Sequence, residues 1–286
     1  IPISSASLAG NILINSATNI AGANTTLGIT TTELNILATA NSTISAIIGT
    51  ATTGSLTLSG TGNVTLSAAN PYTSTTFINN ATLTAGVNNA LSSGGVTMRS
   101  GLYNLNGNSD TVGAISLTGS TISTGAGTLT GNGSFTTATN ANFSSIITGN
   151  LGLGANATFT IGDGLMDNDA VISAVISGGF TFAKAGNGVL ELSGSNTFSG
   201  ATTISAGILR LGATGGGTNT PLGTTAGGTT VSGATAALDL NGYTLGTAEG
   251  LTLSGALATG ALQNTSSTAV NYSGQIILGA ASTIIS

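Results

Sequence analysis

The sequence predicts an all-β solenoid, a stack of coils built from short strands, and three observations carry that reading. Apolar or alternating runs of three to five residues recur along nearly all of the 286 residues, punctuated by Gly, Ser and Asn turns. Glycine contributes 45 residues while charged residues make up 4%, so Thr, Ser and Asn must wet the surface that Lys, Arg, Asp and Glu wet in ordinary domains. A long internal repeat is also present. Residues 62–86 laid on residues 188–212 at a constant spacing of 126 match at eight of 25 positions: Gly62, Leu66, Ser67, Asn70, Thr76, Ile78, Leu83 and Gly86. Tyr72 falls on Phe198 in that alignment. This is roughly three times the agreement that so biased a composition gives by chance.

The clearest coil runs from Gly186 to Gly212, with strands at Val189–Leu192, Thr202–Ile204 and Ile208–Leu211 separated by turns. Ahead of it, residues 1 to 28 carry short runs around Ile12–Ile14, Ile20 and Leu27. Thr30 and Glu33 have the spacing of a capping box, with Leu34 and Leu37 on one side, which predicts a single helical turn over Thr30–Leu37. Strand alternation then resumes, with Leu56, Leu58, Val64 and Leu66 facing one way and Thr57, Ser59, Thr65 and Ser67 the other.

From Tyr72 to Gly162 apolar residues arrive every six to ten positions, with Gly or Asn-Gly in most gaps to supply the positive φ of a sharp corner. Three strands closing a coil of about 20–25 residues give on the order of 12 coils and, at about 4.8 Å each, a rod near 60 Å. The chain reads as one continuous solenoid over residues 1–286, with a degenerate repeat at 55–161 and a second at 180–286. Asn104-Leu105-Asn106-Gly107 answers Asp239-Leu240-Asn241-Gly242, and the drifting intervals place insertions in loops such as Gly215–Asn219. Both ends read as strand, with no polar cap, and Ile1-Pro2 without an initiator Met reads as the start of an excised segment.

A net charge of −5 from three basic and eight acidic residues argues against nucleic acid and against anionic membrane surfaces, which need clustered Lys and Arg. No run approaches the 18 or so uninterrupted apolar residues of a membrane-spanning helix.

Residues 176–212 resemble the autotransporter-associated β-strand repeat. The match lies in Ile176-Ser177-Gly178-Gly179, Lys184-Ala185-Gly186-Asn187-Gly188, Leu190-Glu191-Leu192-Ser193-Gly194, Asn196-Thr197-Phe198-Ser199-Gly200 and Leu209-Arg210-Leu211-Gly212. Leu27–Asn35 and Ile48–Gly54 resemble a segment of large filamentous-haemagglutinin-like exoproteins. The resemblance implies a right-handed parallel β-helix, export to the cell surface, and adhesion or scaffolding rather than catalysis.

Few residues invite chemistry. Asp163, Asp167 and Asp169 share a loop that could offer oxygen ligands to Ca²⁺, but their spacing fits no EF-hand; no other metal or cofactor is expected. Glu191 and Asp239 are expected to point outward from strands. Without any His, a Ser nucleophile has no usual base, and Lys184 alone does not make a Ser-Lys pair, so no catalytic residue is assigned. Gly215-Gly216-Gly217 lacks the Lys-Ser/Thr ending of a phosphate loop. At matched repeat positions the Tyr and Phe residues are expected to plug the interior. Asn-x-Ser/Thr triplets at Asn24, Asn41, Asn63, Asn80, Asn132, Asn142, Asn156, Asn264 and Asn271 are sites where glycans could attach.

The sequence thus points to a structural extracellular solenoid, a stalk, adhesin or filament whose partner is another copy stacked end to end or the adjacent coils of a longer chain. The alternative is a carbohydrate- or surface-binding module. Its outward Thr ladder would need one fixed position per coil, whereas Thr is spread irregularly along the sequence.

Overall fold

The computed structural model describes residues 10–21, 26–27, 33–49, 54–139, 142–255 and 260–286. Among these every regular element is a strand. Two compact units emerge, residues 1–132 with 148–150 and residues 133–147 with 151–286.

In the first unit one sheet stacks, in order, Gly10–Ile14, Glu33–Ala38, Ser55–Ser59, Thr76–Asn79, Val96–Arg99 and Ile115–Thr118. The other stacks Thr18–Ile20, Ser42–Ile44, Asn63–Leu66, Thr82–Ala85, Leu102–Asn104 and Thr121–Gly131. Every pairing along these stacks is parallel, and each strand pairs with the strand one coil away rather than with its chain neighbour. That pattern is a β-solenoid. Successive register partners Gly10, Leu34, Leu56, Thr76, Val96 and Ile115 stand 24, 22, 20, 20 and 19 residues apart, which sets the coil lengths.

The second unit repeats the plan. Phe135–Thr137, Ala157–Thr160, Phe182–Ala185, Thr202–Ile204, Thr229–Val231, Leu251–Leu253 and Ile276–Leu278 form one sheet. Ala170–Ile172, Val189–Leu192, Gly207–Leu211, Ala236–Asp239, Leu262–Gln263 and Ile284–Ile285 stack in the other. Its longest coil, 27 residues from Thr202 to Thr229 along one sheet and 29 from Gly207 to Ala236 along the other, holds a two-stranded antiparallel excursion, Asn219–Thr220 with Gly223–Thr224, beside the predicted insertion at Gly215–Asn219.

Period-two alternation drives this arrangement. Leu56, Leu58, Val64 and Leu66 are wholly buried. They extend rows such as Ile36–Leu58–Ile78–Met98–Leu117, one side chain per coil, all buried. In the second unit Phe135, Phe159, Phe182 and Phe198 form an interior column with ring centroids 5.0, 4.4 and 5.5 Å apart. These rings plug the core as expected; Phe143 and Phe180 instead lie exposed.

Two expectations are corrected. Glu33–Ala38 is a strand, not a helical turn: Leu34 and Ile36 alternate inward between two partner strands, and ladders on both sides outweigh a local capping box. Thr30 lies outside the described residues, as does Asn24. The coil also has two regular faces rather than three; the third side forms strands only in places, as at Thr26–Leu27 with Ile47–Ile48 and Asp110–Val112 with Leu129–Gly131.

The Asn-Gly echo is a structural one. Asn106 and Gly107 have φ of 52° and 81°, and Asn241 and Gly242 have 48° and 81°. Leu105 accepts from Asn108 N–H and Leu240 from Tyr243 N–H, both at 2.8 Å, which closes the same type I′ turn twice. Asn104 in one copy and Asp239 in the other accept from the turn's Asn N–H, at 2.9 and 3.0 Å.

Candidate functional site

The coil corners are held by buried amides at matched repeat positions. Asn70 Oδ1 accepts Ile48 N–H at 2.7 Å from the preceding coil, and its Nδ2 donates to Ala90 O at 2.5 Å in the following one. Asn196 does the same in the second unit, accepting Ile176 N–H at 2.7 Å and donating to Pro221 O at 2.6 Å. Each amide thus bridges three coils on the less regular third side. Beside them the repeat varies one detail. Tyr72 OH lies 2.6 Å from Thr76 Oγ1, whereas Phe198 has no hydroxyl and Thr202 donates to Leu222 O at 2.9 Å instead. Because the second copy shows how the Thr resettles, Tyr72→Phe is expected to cost no more than about 1 kcal/mol in urea unfolding.

Among the described residues five charged side chains are buried: Asp110, Asp169, Lys184, Asp239 and Glu249. Asp110 accepts Leu91 N–H at 2.9 Å and Tyr103 OH at 2.6 Å; burial raises its pKa above the ordinary carboxyl value. Glu249 takes the Thr229 and Thr220 hydroxyls at 2.7 and 3.0 Å, and burial raises it too. Lys184 is fully buried on an inward row between Phe159 and Ile204, its Nζ donating to the carbonyls of Ala185, Gly186 and Ala206 at 3.1, 2.8 and 3.0 Å. Burial pushes this ammonium down to about 7, with the Asp169 carboxylate pulling the other way.

Asp239 keeps an outward position on its strand. It shares an outward column with Glu191 and Arg210, but is fully covered: Arg210 Nε donates to it at 3.0 Å, and Thr265 offers its hydroxyl at 2.7 Å and its N–H at 3.1 Å. Glu191 is half-buried and accepts Asn168 Nδ2 at 2.8 Å.

In the acidic loop Asp163 and Asp167 are exposed, while Asp169 is buried and accepts Gly164 and Val189 N–H at 2.6 and 2.8 Å. Among the described residues no three acidic, His or Cys side chains stand together where they could hold a metal. No helix of the described residues is long and apolar enough to cross a membrane. Asn41, Asn80, Asn132, Asn142, Asn156 and Asn271 of the sequons are exposed, and Asn63 and Asn264 half-buried.

The outer faces hold what sequence reasoning missed. In the first unit, Asn19, Thr43, Thr65, Thr84, Asn104 and Ser123 are register partners in one outward column. Two residues earlier on the strands, Asn63, Thr82, Leu102 and Thr121 form a second column, prolonged by Asn41, whose Oδ1 accepts Asn63 N–H at 3.0 Å. Thr84 donates to Asn63 Oδ1 at 2.9 Å between the columns. The Thr residues that look scattered along the chain are therefore aligned by the register, because coil length varies and hides the period.

Two segments of the chain, residues 53–85 and 182–211, match the passenger-associated transport repeat, a repeat found in autotransporter passenger domains. Their last residues stand 126 apart, the spacing at which Asn70 falls on Asn196. No curated protein and no solved structure matches the chain.

Proposed function

We propose that this chain, with two passenger-associated transport repeats set in a β-solenoid, is a passenger-like structural segment displayed outside the cell as part of a stalk, adhesin or filament. The observation that carries this reading is the equivalence of the two repeats in space. Both place the same buried Asn across three coils, so the repeat is a device for holding a solenoid rather than a site for a reaction. The buried charged groups support the same view: Asp110, Asp169, Lys184, Asp239 and Glu249 are each held by internal hydrogen bonds. The chain acts by presenting surface and needs neither metal nor cofactor.

Its partner is a further coil of its own kind. Ile276, Leu278 and Ile284 continue inward rows whose members Leu251, Leu253 and Leu262 are buried, yet are themselves 37%, 63% and 52% exposed. A coil seated there, from the same polypeptide or from a second copy, would bury these side chains and pair the open strand edges of Ile276–Leu278 and Ile284–Ile285.

Antibody labelling of intact producing cells tests the display: surface signal that protease shaving removes is expected, and signal only after lysis would overturn it. Sedimentation velocity tests the partner. Concentration-dependent end-to-end association that Leu278→Lys abolishes is expected for the isolated chain, and a strict monomer at all concentrations would restrict the covering coil to the same polypeptide.

A further inference from the structure

We propose that the paired outward columns of the first unit form a binding surface for an extended, uncharged polysaccharide lying along the stack of coils. The inference deepens the adhesin reading by naming what would be held. The face consists of Asn19, Thr43, Thr65, Thr84, Asn104 and Ser123 beside Asn41, Asn63, Thr82, Leu102 and Thr121, without a single ionisable side chain. Apart from Asn19 and Asn41, which are exposed, all of them are half-buried, so the face is level rather than bristling with long side chains.

Spacing and chemistry both select the ligand. Parallel strands stand about 4.8 Å apart, and residues two apart on a strand about 6.6 Å, so the face is a regular array of hydroxyls and amides. One rung of the array is close to the length of one hexose residue in an extended chain. A linear polymer of neutral sugars can thus present its hydroxyls in step with successive coils. Asn amides supply both donors and acceptors and Thr hydroxyls do likewise, which suits sugar hydroxyls that are themselves both. Thr methyls and Leu102 supply the apolar part. Absence of charge removes the attraction that an acidic polysaccharide would need and leaves hydroxyls and amides as the groups that recognise a ligand.

The face has an anchor point. Asn19, Asn41, Thr43, Asn63 and Thr65 line a shallow, open groove of about 330 Å³. Its floor spans three coils. The array's mixture of Asn, Thr, Ser and Leu is too uneven in length to match an ice plane, and this distinguishes the two surfaces that a hydroxyl ladder could serve.

The full chain should be retained by insoluble neutral polysaccharides, with β-1,4-glucan, β-1,3-glucan, mannan and chitin as the probes, and not by alginate. Retention should be indifferent to salt between 50 mM and 500 mM, about a threefold change in Debye length. Thr43→Glu with Thr65→Glu should weaken retention at least tenfold while circular dichroism stays that of the parent. Thr65→Ala, which adds no charge, should weaken it severalfold. Thr230→Glu, on an outward position of the second unit, should leave it unchanged. Retention by none of the four probes would overturn the proposal, as would retention that ignores the Thr43 and Thr65 changes, or inhibition of ice growth by the parent that those changes abolish. Failure on these arms with surface labelling intact would remove the ligand and leave the display reading standing.

Discussion

Asn196→Ala is expected to lower the unfolding free energy by about 3–5 kcal/mol, and Asn70→Ala by a similar amount, because each leaves two buried backbone groups unpaired at about 1–3 kcal/mol apiece. Removing Asn196 strands the N–H of Ile176 and the C=O of Pro221, which lie in the coils before and after its own. Neither can turn to water, since Asn196 has no exposed surface. An Ala side chain also leaves a void in this buried site, which adds to the cost. Asn196→Asp separates the two bonds: the carboxylate keeps the acceptor for Ile176 N–H but faces Pro221 O without a donor when ionised. Its stability should therefore recover as pH falls and the carboxyl acquires a proton to donate. Denaturant unfolding of the three variants at pH 5 and pH 8 measures this. A loss below about 1 kcal/mol for both Ala variants would mean that the amides do not join the coils, and the structural reading of the repeat would fall with them.

How much of this was visible in the sequence depends on the distance over which each feature is decided. Alternation over four or five residues placed Leu56, Leu58, Val64 and Leu66 inside, and the Asn-Gly corners were readable because positive φ is a local demand. Asn70 and Asn196 were visible as identities, yet their role was not, since their partners lie 20–25 residues away in neighbouring coils. The outward columns were hidden for a related reason: register partners are separated by 19 to 24 residues, so no fixed period lines up Thr43, Thr65 and Thr84 in the sequence. The cover over Asp239 was not legible, because alternation reports the side of a strand and not what the next coil lays over it. Lys184 did carry a signal. It stands two residues after Phe182, on the inward phase, and the same alternation that buried the phenylalanine buries the ammonium.

That position makes stability depend on pH in a direction opposite to that of ordinary lysines. A fully unfolded chain holds the Lys184 proton up to a pKa of 10.5, whereas in the fold burial lowers the value to about 7. Between these values the unfolded state binds a proton that the folded state has released, so stability rises with pH. The slope approaches about 1.4 kcal/mol per pH unit, which amounts to about 3 kcal/mol between pH 7 and pH 9.5. Below pH 7 both states are protonated and the full cost of the buried charge is present; above 10.5 it has vanished. Burial also raises the phenols of Tyr72, Tyr103 and Tyr272, whose opposing effect begins only near their unfolded value of 10.0, so the window closes below it. Lys184→Met keeps the length of the side chain, removes the proton and gives up the bonds to Ala185, Gly186 and Ala206. The variant's unfolding free energy should therefore be flat from pH 7 to pH 9.5 relative to the rising parent. Two curves that run parallel across that range would show that the ammonium is held charged in the core by its three carbonyls.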